Sequence, residues 1–166
     1  LDAMVRTATE QGFEAVGMTT NSLSLSEGKA RALVDAGLTE VVLSLEGLNL
    51  HDEIRGVKGN TRKVIRNLEQ LSALALERGD GQPAVKIALT LMNRNLDQVA
   101  DVVDLVRQHG ASLLLNLIDE GTYFFRGKGT DFFRIDDRDK LNRAVDHLLA
   151  VKTAEPDLIA TPLSAI

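Results

Sequence analysis

Two spacings of apolar residues take turns along this chain. Short runs that alternate or are continuously apolar read as strands: FEAVGMTTN (13–21), TEVVLSLEG (39–47), AVKIALTLMN (84–93) and SLLLNLID (112–119). In the third, Val85, Ile87, Leu89 and Leu91 alternate strictly. The fourth is nearly all apolar, the pattern of a strand buried on both faces. Between them, apolar residues three and four apart read as helices. Leu1, Met4, Val5 and Ala8 share a face that Gly12 ends. EGKARALVDAG follows a cap at Ser24 or Ser26 and stops at Gly37. Val64, Ile65, Leu68, Leu71 and Ala75 mark a long helix opened by Asn60 or Thr61. Residues 96–108 form another, closed by Gly110, and a last helix runs from about 137 to 152.

Strands separated by helices pair in parallel through right-handed crossovers. Two architectures fit: a small doubly wound sheet or part of a (β/α) barrel. In both, ligands sit at the carboxyl ends of the strands. Those ends are Thr19-Thr20-Asn21, Ser44-Leu45-Glu46, Met92-Asn93 and the stretch from Asn116 to Asp119, each polar where the strand before it was not. EGTYFFRGKGTDFFRI (120–135) has no period and reads as a long functional loop, while PDLIATPLSAI at the end is a candidate for one more strand.

Composition narrows the chemistry. The 166 residues carry a net charge of -5, with 44% hydrophobic and 26% charged residues, as expected for one soluble domain spanning 1–166. No basic footprint recommends a nucleic-acid partner. No apolar run reaches the roughly 20 residues that cross a bilayer, and no signal peptide opens the chain, so a cytoplasmic location with no membrane partner is expected. With no cysteine, disulfides, thiol nucleophiles and cysteine-held metals are excluded within these residues, and the three histidines have no metal-ligand spacing. The first residue is Leu1, not a methionine, which suggests a piece of something longer.

MTTNS, then GLTEVVLSLEG, then HDEIRG, in this order and at these separations, resembles the radical S-adenosylmethionine (radical SAM) superfamily. Its members show a TTNG-like segment ending one strand, an SLDG-like segment ending the next, and an H-D-x-x-R-G loop and helix after it. The likeness covers about residues 12–119. It implies a partial (β/α) barrel, with about four parallel strands of the usual six present here. It also implies two cofactors, SAM and a four-iron four-sulfur cluster. Reductive cleavage of SAM at that cluster gives a 5′-deoxyadenosyl radical that abstracts hydrogen from a substrate, here unknown. An electron donor such as flavodoxin or ferredoxin would serve the full-length enzyme.

Residue by residue, the resemblance makes Thr19 or Thr20, with Asn21, and Ser44 the groups that hydrogen-bond SAM. Arg55 becomes the partner of its carboxylate, a task suited to a guanidinium. Asn93 and Asn116 are implied to contact the cofactor, and Glu46, Asn95 and Asp119 to face substrate. Glu46 stands where aspartate is commoner, and Ser22 where TTNG has glycine. The CxxxCxxC and GGE segments that precede the TTN-like strand are not present, so the expectation is an N-terminally truncated barrel without the cluster ligands, inactive by itself. No residue is assigned a catalytic or metal-binding role.

Without the family context the same residues have plainer explanations. Ser44 and Thr20 would be loop or cap hydrogen-bonders, and Arg55 a solvated arginine. His51 and Asp52 would form a helix entry with Asp52 as cap, and His109 would sit at a helix end in a favourable interaction with the helix dipole. His147 would lie on a polar face. Two further functions fit the same strand ends: a SAM-independent (β/α)-barrel lyase, and a degenerate barrel that binds a ligand without chemistry.

Overall fold

The computed structural model describes residues 1–117 and 134–165. Four strands, β1 (Gly17–Thr20), β2 (Glu40–Ser44), β3 (Ala84–Leu91) and β4 (Ser112–Leu117), form one sheet in sequence order, each parallel to the next. Sequential order excludes the doubly wound alternative, where the chain doubles back across the sheet. It is the order of a partial (β/α) barrel. Six helices accompany the strands among the described residues: α1 (Asp2–Glu10), α2 (Glu27–Asp35), α3 (His51–Arg55), α4 (Asn60–Arg78), α5 (Val99–Gln108) and α6 (Arg138–Ala154).

Alternation along the strands divides the sheet into two unlike faces. Val41, Leu43, Val85, Ile87, Leu89 and Leu113 point to one side and are buried with the helices, against Leu33 and Val34 of α2, Leu68 and Leu71 of α4, and Val102 and Val106 of α5. The register puts Thr19, Val42, Ser44, Lys86, Ala88, Thr90, Leu114 and Asn116 on the other side, here called the inner face. Near the amino ends of the strands, Lys86 reaches across that face to Glu40 at 2.5 Å.

Several boundaries differ from the expectation. The first strand starts later: Gly12 has φ +83°, the Phe13 amide still bonds back to Ala8, and Phe13 is exposed. Pairing begins only at Val16, whose carbonyl accepts from the Thr39 amide at 2.9 Å. The fourth strand is not buried on both faces. Only Leu113 is fully covered, and Leu117 is 68% exposed, because β4 is the last strand of the sheet and lacks a full neighbour among the described residues. What neighbour it has comes from the tail. Ile159 pairs with Leu113 as a single parallel bridge, with Leu113 donating to Leu158 and accepting from Ala160, so the expected extra strand is a one-residue stub. The phenylalanine-rich loop lies outside the described residues, apart from its last two, Arg134 and Ile135.

Candidate site at the carboxyl ends of the strands

At the end of β1 the two threonines part company. Thr20 is in register with Leu43 and so faces the helices, and its Oγ1 accepts from the Ser22 amide at 3.1 Å. Thr19 is in register with Val42 and so shares the inner face with Ser44. Of the two, only Thr19 offers its hydroxyl where Ser44 does. Asn21 is exposed and accepts from the Leu23 amide at 3.2 Å, which shapes the turn. Ser22 is buried with φ +66°, a conformation that costs any residue with a Cβ. The glycine that the TTNG pattern carries here would fit the backbone without that cost.

Beyond β2 the chain makes a buried polar cluster. Glu46 follows Ser44 by two residues and is 4% exposed. His51 and Arg55 sit one turn apart on α3, so both side chains meet it. Glu46 Oε2 lies 2.5 Å from His51 Nδ1 and accepts from Arg55 Nε at 3.0 Å, while Oε1 takes the Arg55 Nη2 donor. Burial raises the Glu46 pKa, but the His51 and Arg55 hydrogen bonds and the Arg55 charge outweigh it and hold the carboxyl below the usual glutamate range. A carboxylate only accepts, so the His51 proton belongs on Nδ1. The Glu46 amide points at that same nitrogen from 3.2 Å, and with the proton there it is left without a lone pair to bond. His51 Nε2 then accepts from Asn60 Nδ2 at 2.8 Å.

Asp52, next to His51, reaches the same helix start by another route. It accepts from the Gly59 and Thr61 amides and from the Thr61 hydroxyl, and these bonds, led by those of Thr61, push its pKa down to about 2. It is a cap, as its sequence context suggests, but for α4 and not for α3. His109 and His147 are likewise as plain as expected: His109 ends α5 with Nδ1 2.8 Å from the Leu105 carbonyl, and His147 is exposed on α6.

Asn95 departs from the substrate-side reading. It is fully buried, donates from Nδ2 to the Glu46 carbonyl (2.9 Å) and the Thr90 carbonyl (2.8 Å), and accepts from the Met92 amide at 2.9 Å. Its side chain thus ties the end of β2 to the end of β3. Glu46, also placed on the substrate side, has both oxygens occupied by its own neighbours. Gly47, with φ +135°, has a packing reason: a Cβ there would stand 2.7 Å from Gln98 Oε1, which accepts from the Asn49 amide. Asn93 is half-buried and accepts from the Asp137 amide at 3.4 Å, Asn116 is exposed at the end of β4, and Asp119 lies outside the described residues.

Sequence reasoning missed His51 and Asn60 as parts of the site. The signal was there in the i, i+4 spacing of His51 and Arg55 just downstream of Glu46, which puts both on one side of a helical turn.

The sequence is 27% identical over 128 residues to the sporulation killing factor maturation protein SkfB of Bacillus subtilis, which covers 76% of this chain and 28% of that protein. It is 28% identical over 118 residues to the mycofactocin maturase MftC of Mycolicibacterium smegmatis, covering 70% of this chain and 27% of MftC. The fold superposes on Streptococcus suis SuiB bound to S-adenosylmethionine with a TM-score of 0.70, over 95% of this chain and 34% of SuiB, at 17% identity. SuiB bound to its precursor peptide SuiA gives 0.69 over 97%. Together these likenesses support membership of the radical SAM superfamily. No family model matches the chain. The chain spans about a quarter to a third of the length of the proteins it matches.

The donors at these strand ends fit SAM. Thr19 and Ser44 share a face, no hydrogen bond holds the Ser44 hydroxyl among the described residues, and Arg55 is 38% exposed with donors beyond the edge given to Glu46. The same residues do not fit an iron-sulfur cluster. The chain has no cysteine, and the described residues hold no group of three side chains able to ligate a metal.

Proposed function

We propose that this chain forms the SAM- and substrate-binding strand ends of a radical SAM enzyme whose substrate is a precursor peptide. The observation that carries the reading is the shared inner face of Thr19 and Ser44, with the half-exposed Arg55 guanidinium anchored just beyond β2. In this reading Thr19 and Ser44 hydrogen-bond the amino acid and ribose portions of SAM. The free donors of Arg55 take the carboxylate, and Asn93 and Asn116 contact ribose or adenine. Asp119 faces substrate. Bound SAM supplies the hydrogen-abstracting radical upon one-electron reduction, with the electron drawn from a donor such as flavodoxin or ferredoxin. No step through a cluster is derived from these residues. A peptide substrate is supported by the maturation roles in the names of SkfB and MftC and by the precursor peptide bound to SuiB.

Two measurements test it. The reading frame upstream of Leu1 should encode CxxxCxxC followed by GGE, and an unrelated strand pattern there would refute the assignment. In equilibrium titrations with SAM, Arg55→Ala should weaken binding by about 1.5–3 kcal/mol, the range for a hydrogen bond to a charged group. Undiminished affinity would remove Arg55 from the site.

A further inference from the structure

We infer that His51 is a positioning residue: it fixes Glu46, and through Glu46 the plane of the Arg55 guanidinium, so that the open edge of Arg55 discriminates ligands that carry a carboxylate. The inference rests on the proposed role of Arg55 and adds what sets its geometry.

A guanidinium has five donors in one plane. Nε and one Nη2 hydrogen are given to Glu46, which leaves the two Nη1 hydrogens and the other Nη2 hydrogen in the same plane, along the adjoining edge. Where that edge points is decided by where the Glu46 carboxylate lies. A glutamate side chain has three rotatable bonds and does not fix itself. Here its Oε2 is shared by Arg55 Nε and His51 Nδ1, while the other His51 nitrogen is held by Asn60 in the first turn of α4. His51 and Asn60 are both fully buried, so solvent offers neither an alternative partner. Five residues of helix have no stability of their own. The anchorage of α3 therefore comes from outside it: from the start of α4 through His51 to Asn60 and Asp52 to Gly59 and Thr61, and from Arg94 through Glu53. The chain of contacts Asn60, His51, Glu46, Arg55 is continuous, and among the described residues Glu46 alone accepts hydrogen bonds from the guanidinium.

Two readouts test this, using SAM and decarboxylated SAM as probes. The wild-type chain should prefer SAM by about tenfold or more, the worth of one hydrogen bond to a charged group. His51→Leu should bring that preference close to one by weakening SAM alone. His51→Asn, whose amide nitrogen can stand near the Nδ1 position, should restore most of it. Independently of any ligand, the Arg55 Nε–H resonance in nitrogen-15 spectra should be resolved and slow to exchange in the wild type and in His51→Asn, and collapse to a solvent-like line in His51→Leu. Should His51→Leu not fold, Asn60→Ala, which removes only the contact to Nε2, should lower both readouts partway. An unchanged Arg55 resonance in the folded variant overturns the positioning role, whichever ligand binds. An Arg55 resonance that collapses as expected, in a chain that never preferred SAM, overturns the carboxylate-binding reading and leaves the positioning role standing.

Discussion

Two arginine–glutamate pairs in this molecule use nearly the same hydrogen bonds in different surroundings. Arg55 gives Nε and Nη2 to Glu46, and Arg107 gives Nε and Nη2 to Glu155. The Glu46 side chain is 5% exposed and the Glu155 side chain 43%. Arg107 also has a second carboxylate, Asp104, within reach, whereas Glu46 is held in addition by the buried His51. At the surface, water competes for each partner and an ion pair contributes little. In the interior the partners have been stripped of water, and removing one leaves the others stranded. The same pair of donors therefore does not mean the same energy. The pair beyond β2 holds an arrangement in place, and the pair joining α5 to the chain just past α6 is close to neutral.

Alanine substitution separates the two. Glu46→Ala should cost about 3 kcal/mol in urea unfolding, the low end for breaking a buried pair because Arg55 can partly turn to solvent. Glu155→Ala should give a change too small to resolve in the same titration. Equal losses would mean that burial is not what distinguishes them.

A smaller effect, of opposite sign, belongs to the first strand's end, where the buried layer is imperfectly satisfied. Ser22 is in a left-handed conformation, and its buried hydroxyl has no partner among the described residues. Ser22→Gly should raise stability by about 1 kcal/mol, since relief of the left-handed backbone exceeds the extra freedom given to the unfolded chain. A loss on thermal unfolding would show that the Ser22 side chain is serving some purpose there.

The most local effect is the junction of α3 and α4. Asp52 has a folded pKa of about 2 against an ordinary 3.8, so its stabilisation is present above the ordinary value and is lost as pH falls toward 2. Hydrogen exchange should show the Gly59 and Thr61 amides losing protection across that window in the wild type. In Asp52→Asn, the same amides should be less protected at neutral pH and insensitive to the descent.

Much of the architecture could be read before any coordinates. Val85, Ile87, Leu89 and Leu91 alternate over a full strand, and Val64, Leu68 and Leu71 keep a helical stripe, because long elements repeat their period often enough to be seen. α3 has five residues and no period to show, so its motif read as a loop or helix entry. Thr19 and Thr20 are equally good candidates on paper. Which one faces the ligand side is a matter of parity, and parity needs the register with Val42 and Leu43. Asn95 looked like a substrate ligand because asparagine at a strand end can serve a ligand or the backbone. Only the buried carbonyls of Glu46 and Thr90 decide for the backbone.

The two edges of the sheet are treated unequally, and this bears on how the chain behaves in bulk. At β4 the tail supplies Ile159 and covers part of the edge, while beyond β1 no strand pairs among the described residues. Gly17, Met18, Thr19 and Thr20 thus form a short template open to any extended segment that arrives in register. A segment tethered to the same molecule arrives at an effective concentration in the millimolar range, and a second copy only at the concentration in the tube. Dilution therefore favours the tethered partner, and concentrating the chain without one favours edge-to-edge pairing between copies.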